Sequence, residues 1–182
     1  YRNCIYREGK RSIYEGGHRV PFFVRWPAGV KSPGRVCRKT ICQTDVLATL
    51  AELLNSELPA NAGEDSESFL PEFFHTDSTA SRSATMHHGI SGEFAIRSGD
   101  WKLILPYRKK KAELYNLKSD PSETNDIASM HEDTVAQLTQ QATSLVLNGR
   151  TTPGVNQPND TGYWDDLTWI EKSDYEAAHA GQ

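Results

Sequence analysis

Gly9-Lys10-Arg11-Ser12-Ile13-Tyr14-Glu15-Gly16-Gly17-His18-Arg19-Val20-Pro21 runs directly into Phe22-Phe23-Val24-Arg25-Trp26-Pro27, and the change between the two runs sets the fold expected for the first part of the chain. The first run is polar and glycine-marked, so it reads as loop. Adjacent glycines at 16 and 17 allow backbone angles closed to other residues and a close approach by a neighbouring group. The second run is β-branched and aromatic, bounded by Pro21 and Pro27, and predicts a short buried strand. Residues 28–38 carry Gly29, Pro33 and Gly34 and form a surface connection. Thr44 or Asp45 then caps a helix on which Val46, Leu47, Leu50, Leu53 and Leu54 form one apolar stripe. One strand and one helix make a single α/β unit. They cannot bury their own faces, so partners from further sequence are expected.

The whole chain has 182 residues, 37% hydrophobic and 24% charged, with a net charge of −4. That composition suits a folded protein, and the acidic balance argues against general nucleic-acid binding. No apolar run approaches the roughly 20 residues that cross a bilayer. The start, Tyr1-Arg2-Asn3-Cys4, has neither an initiator Met nor an apolar leader, so a piece of a longer protein is expected. Cys4, Cys37 and Cys42 are too few for a disulfide framework, although Cys37 and Cys42 could pair across a local turn.

From Asn55 to Ser83 the chain turns to Pro, Gly, Glu, Asp and Ser, with Phe69-Leu70 and Phe73-Phe74 as anchors, and reads as a linker. A different pattern follows. Phe94–Arg97 and Trp101–Leu105 are two strands joined at Ser98-Gly99-Asp100, and Arg108–Lys111 turns into a third strand, Glu113–Leu117. Ser129 and Glu132 form a capping box for a helix with Val135, Leu138, Ala142 and Leu145 on its buried stripe and Gly149 at its end. The fold class is therefore α/β plus α+β, the second part a small antiparallel β-sheet packed with a helix. The boundaries fall at 1–58, 59–85, 86–150 and, for an extended tail, 151–182.

Lys10 is the first chemical candidate, because a compact ammonium can bind a tetrahedral oxyanion and stabilise charge developing on it. Glu15 and Arg19 read as a structural ion pair around the glycine turn. His18, His87 and His88 are candidate substrate-binding residues. His87 and His88 are neighbours that a strand would point to opposite sides, which makes them a poor metal pair. Arg108-Lys109-Lys110-Lys111 is a basic hairpin tip, either a solvated turn or a contact for a polyanion.

The run Gly9-Lys10-x-x-x-Tyr14-Glu15-Gly16-Gly17-x-Arg19-Val20-Pro21 resembles the second signature stretch of the sulfatase family. A second match, Ile96-Arg97-x-Gly99-Asp100-Trp101-Lys102-Leu103-Ile104 with Glu113-Leu114-Tyr115-Asn116-Leu117-x-x-Asp120-Pro121-x-Glu123-x-Asn125, is similar to the family's small C-terminal subdomain. The resemblance implies the C-terminal end of an alkaline-phosphatase-like α/β domain in residues 1–58, followed by that subdomain. It also implies sulfate-ester hydrolysis by a formylglycine nucleophile beside a calcium ion, with Lys10 as the catalytic lysine on the sulfate.

The departures are as informative. None of the three cysteines is followed by x-Pro/Ala-x-Arg, and the paired-aspartate metal motif has no counterpart. Ca2+ and formylglycine are thus expected in the full-length parent and not in this chain, which alone should be inactive. Expected partners are a sulfated small molecule or sulfated polysaccharide and the missing N-terminal part of the same protein, with no nucleic acid and no membrane span. Two other readings stay open: a phosphonate or phosphate monoester hydrolase of the same superfamily, and a non-catalytic module that binds sulfated glycans. An exported location, periplasmic, extracellular or lysosomal, follows from the family analogy.

Overall fold

The computed structural model describes residues 5–30, 34–74 and 82–180, so Cys4 lies outside the described residues. The chain divides into two compact units. One comprises Tyr1–Val20, Ala84–Gly149 and Pro158–Gln182; the other comprises Pro21–Ser83 and Arg150–Gln157.

The first unit is built on an antiparallel meander of β1 (Thr85–His88), β2 (Phe94–Ser98), β3 (Trp101–Ile104) and β4 (Glu113–Asn116), paired in chain order. Gly99 at φ 57° supplies the left-handed residue that the two-residue turn between β2 and β3 needs. Period-2 alternation splits the sheet residues between two faces. Ile96, Leu103 and Leu114 share one face and pack with Leu138 and Ala142 of α3 (Glu132–Asn148). Ala95, Ile104 and Tyr115 share the other, where Ile13 of the opening segment covers them. The sheet is thus sandwiched between a helix and the segment that contains Lys10.

Two details differ from expectation. The helix α3 begins at Glu132 with His131 as its N-cap, and no side chain caps it. Ser129 instead sits in a short 3-10 turn, Ala128–Met130, so the capping box does not form. At the other end Gly149 closes the helix at φ 63°, as its position requires. The tail adds a helix, α4 (Lys172–His179), whose Tyr175 packs with Leu167 and Ile170.

In the second unit, α2 (Asp45–Leu53) forms where the apolar stripe predicts it, with its polar face packed and its apolar stripe left open. Asp45 and Thr49 are buried, whereas Leu47, Leu50 and Leu54 are 48%, 49% and 73% exposed. The polar face wins because the 65–69 stretch docks on it. Asp45 accepts the N–H groups of Cys42 (2.6 Å) and Glu67 (3.0 Å), and the Thr49 hydroxyl accepts that of Phe69 (3.1 Å). The strand expected over Phe22–Trp26 is absent. Among the described strands all four belong to the meander, so this segment has no ladder to join. Aromatic edges hold it instead, Phe22 against Phe69 and Trp26 against Phe73, while Phe23 stays 90% exposed. Cys37 and Cys42 are both free thiols.

Candidate functional site

The opening segment closes on itself before it meets the sheet. Arg7 accepts the Gly16 N–H on its carbonyl at 3.0 Å, and Tyr14 accepts that of Gly17 at 2.8 Å. A Cβ on Gly16 would run into the Arg7 carbonyl, and one on Gly17 into that of Ser12. Close approach, rather than unusual backbone angles, is what requires this glycine pair. Between the two ends Lys10 is exposed at the tip of the loop.

That loop forms one wall of a cleft of about 490 Å3. Lys10, Arg11 and Tyr14 line it together with Ile90, Tyr107 and Lys111. The basic hairpin tip lies on the same rim, but Lys110 is answered by Glu93 at 3.2 Å, and Arg108 lies over the Tyr107 ring. No ion pair to Lys10 or Lys111 occurs among the described residues. Glu113 is occupied as well, accepting the hydroxyls of Tyr14 (2.8 Å) and Tyr115 (2.6 Å). Burial, reinforced by that carboxylate, pushes both phenols well above their ordinary value, so they stay neutral donors. The cleft therefore offers Lys10 and Lys111 to an incoming anion, beside the Glu8 carboxylate, on walls that contain apolar and aromatic surface.

The histidines do not share this cleft. His18 ends α1 (Glu15–His18), and its ring lies 4.5 Å from that of His87 on β1. His87 is register-paired with Ala95 and so faces the side covered by the opening segment. Burial is the main cause that drives its pKa down to about 3, with the charges of His18 and Lys102 adding to it. His18 is lowered too, first by burial and then by Lys102. Both rings are neutral at neutral pH. His88 faces the opposite way, as adjacent strand residues must, and stacks on Phe94 with Trp164 at its edge.

Beneath the loop lies a charge cluster that the sequence reading does not single out. Lys102 and Glu123 are fully buried, and Glu15 is 2% exposed. Lys102 Nζ lies 3.1 Å from Glu15 Oε1 and 2.9 Å from Glu123 Oε1, the latter contact off-line for a hydrogen bond. Arg19 Nε donates to Glu15 at 2.8 Å, the ion pair that the sequence suggests, and Arg97 joins from 3.3 Å. Burial pushes the Glu15 carboxyl up, but Lys102, Arg97 and Arg19 together outweigh it and hold the group below its ordinary range. For Glu123 burial wins, and its pKa is raised. The signal was present in β3, where Lys102 shares the packed face with Ile104. A lysine at a core-facing strand position requires buried carboxylates.

Comparison with known proteins places this geometry. The family described as N-sulphoglucosamine sulphohydrolase, C-terminal, matches residues 7–150. An N-acetylgalactosamine-6-O-sulfatase of Bacteroides thetaiotaomicron is 37% identical over 155 residues, which is 78% of this chain and 30% of that protein. A steryl-sulfatase of Rattus norvegicus is 44% identical over 69 residues, covering 38% of this chain and 12% of that one. A solved structure reported for the metabolism of multiple glycosaminoglycans by B. thetaiotaomicron superposes with a TM-score of 0.71 at 36% identity, over 78% of this chain and 32% of the other. The structure of Ps i-CgsB in complex with k-i-k-neocarrahexaose shares the fold at 19% identity, with a TM-score of 0.65 over 96% of this chain and 36% of its own. The chain spans about a third of the length of the B. thetaiotaomicron relatives it matches. Matched over residues 7–150 by a sulfatase C-terminal model, the chain belongs to the sulfatase family as a C-terminal portion.

Proposed function

We propose that the full-length parent hydrolyses sulfate esters on a carbohydrate, and that this chain supplies the wall of the active site that contains Lys10. The observation that carries the reading is Lys10 itself, an exposed cation on a cleft, in the loop that the matched family region includes. Its ammonium would bind a sulfate oxygen and stabilise charge that grows there as the S–O ester bond breaks. Water supplies the oxygen that ends on sulfur, and the freed alcohol takes the proton. The carbohydrate class is inferred from relatives named for sulfated amino sugars.

Calcium and formylglycine belong to the same proposal as contributions of the parent's remaining sequence. Among the described residues no three of His, Cys, Asp and Glu gather as metal ligands. Neither Cys37 nor Cys42 stands before x-Pro/Ala-x-Arg. The described residues fit neither group. Of the three candidate histidines, His88 is the exposed one and is open to a ligand, while His18 and His87 act on substrate only through the shape of the wall.

The partner on the second unit is the remaining N-terminal sequence, seated on Leu47, Leu50 and Leu54 and on Phe22–Val24. The domain boundaries at 58, 85 and 150, and an exported location, complete the proposal. The test is turnover by the purified parent of an aryl sulfate and of a 6-O-sulfated amino sugar. Release of inorganic sulfate supports the reading; a preparation that cleaves only the matching phosphate or phosphonate rejects it.

A further inference from the structure

The loop that contains Lys10 holds an unfavourable backbone shape. Glu8 and Arg11, on either side of Lys10, both stand in the left-handed region, at φ 57° and 83°. Residues other than glycine stay there only where their surroundings over-determine them. Those surroundings converge on one residue. At one root of the loop, Arg7 Nη1 donates to the Glu123 carbonyl at 2.8 Å, and its guanidinium lies 3.7 Å from the centre of the Tyr14 ring. At the other root, Glu123 Oε2 accepts the Glu15 N–H at 2.6 Å. The Gly16 N–H to Arg7 carbonyl bond then joins the two roots. Glu123 is itself left-handed, at φ 51°, and Lys102 holds it and Glu15 together in the dry interior.

We propose that Lys102 and Glu123 are positioning residues for Lys10, setting where its ammonium stands on the cleft without touching substrate themselves. The proposal rests on the reading of Lys10 as the sulfate contact. A buried ion pair is a poor source of stability, because desolvation offsets most of its attraction, whereas its fixed geometry can specify one conformation. Here that geometry is spent on the two roots of a strained loop. Loosening Glu123 should therefore displace Lys10 and weaken binding of the sulfate group specifically.

The experiment is a double-mutant cycle in the full-length parent, comparing the wild type, Lys10→Ala, Glu123→Gln and the double variant, with inorganic sulfate as the inhibitor probe. Glu123→Gln keeps the volume and an acceptor for the Glu15 N–H. Because a misplacement on the order of 1 Å can cost about 100-fold, KM and the sulfate inhibition constant should rise together by at least about tenfold in Glu123→Gln. The double variant should be no worse than Lys10→Ala, since two residues that act through one group are not additive. A merely structural role would lower the active fraction, and so apparent kcat, while leaving KM and sulfate inhibition unmoved. That result, or multiplicative losses in the double variant, would overturn the proposal while Lys10→Ala still shows its own defect. If Lys10→Ala is silent, the reading of Lys10 falls, and the positioning role falls with it. Should Glu123→Gln fail to fold, Arg7→Met frees the same root without stranding a buried charge, and normal KM and sulfate inhibition in it would sink the idea.

Discussion

The Lys102 ammonium lies 2.9 Å from Oε1 of Glu123, and neither side chain is open to solvent. Glu15 shares the same lysine at 3.1 Å. Removing the lysine would strand Glu123 in the interior and leave Glu15 to Arg19 and Arg97 alone. Lys102→Met should lower the unfolding free energy by about 3–5 kcal/mol, the usual penalty for breaking a buried pair from one side. Pairing it with Glu123→Gln should recover part of that loss. Urea unfolding of both variants checks this, and a loss below about 1 kcal/mol in Lys102→Met would contradict the buried-pair description.

Gly16→Ala is a more local test. The added methyl meets the Arg7 carbonyl, a backbone atom that cannot rotate away. Forcing one methyl into a full space costs typically about 1–3 kcal/mol. Thermal unfolding should fall accordingly, and a wild-type melting temperature would mean that the loop is not closed as described.

Acid sensitivity follows from His87. Its folded pKa is depressed to about 3 from an ordinary 6.5, chiefly by burial. Between those values the unfolded chain binds the extra proton and the folded one does not, so stability rises with pH. On acidification the contribution of this group begins to fade near pH 6.5 and goes on fading toward 3. His87→Phe removes the titration, so its melting temperature should fall less steeply over that window than the wild type's. Parallel acid limbs would show that His87 is not buried in the neutral form.

The apolar surface of the second unit gives a test by contrast. Leu50 is 49% exposed here, and the proposal covers it with the parent's remaining sequence. Leu50→Glu should leave the melting of this chain within about 0.5 kcal/mol, as surface substitutions usually do. In the full-length parent the same change should cost several-fold more, by placing an unpaired charge in an interface. Equal effects in both proteins would argue that nothing covers the helix.

Much of the meander could be read from the sequence because its signals are local. The apolar runs of β2 and β3, Phe94-Ala95-Ile96 and Leu103-Ile104, with Gly99 in the turn between them, specify a hairpin without reference to the rest of the chain. The strand β1 escapes such a reading, since Thr85-Met86-His87-His88 has no apolar alternation and turns a histidine toward a packed face. Residues 22–26 have the composition of a buried strand, but composition cannot supply the neighbour that a ladder needs. The α2 stripe is legible as apolar from its spacing, but that Asp45 and Thr49 pack the opposite face is not, because those bonds come from residues about 20 positions away. At the site, the Lys10 loop was legible through its resemblance to a family. The cluster under it was legible through physics alone, in a lysine that alternation assigns to the inside of a sheet.

The central claim is that Lys10 binds the sulfate that is cleaved. The most direct measurement is kcat/KM of the full-length parent toward an aryl sulfate, wild type against Lys10→Ala, with folding verified by thermal melting. Loss of one group that stabilises charge in the transition state should lower it by about 100- to 1,000-fold with the melting curve unchanged. Turnover within about twofold of wild type, below the smallest loss expected for such a group, would contradict the account.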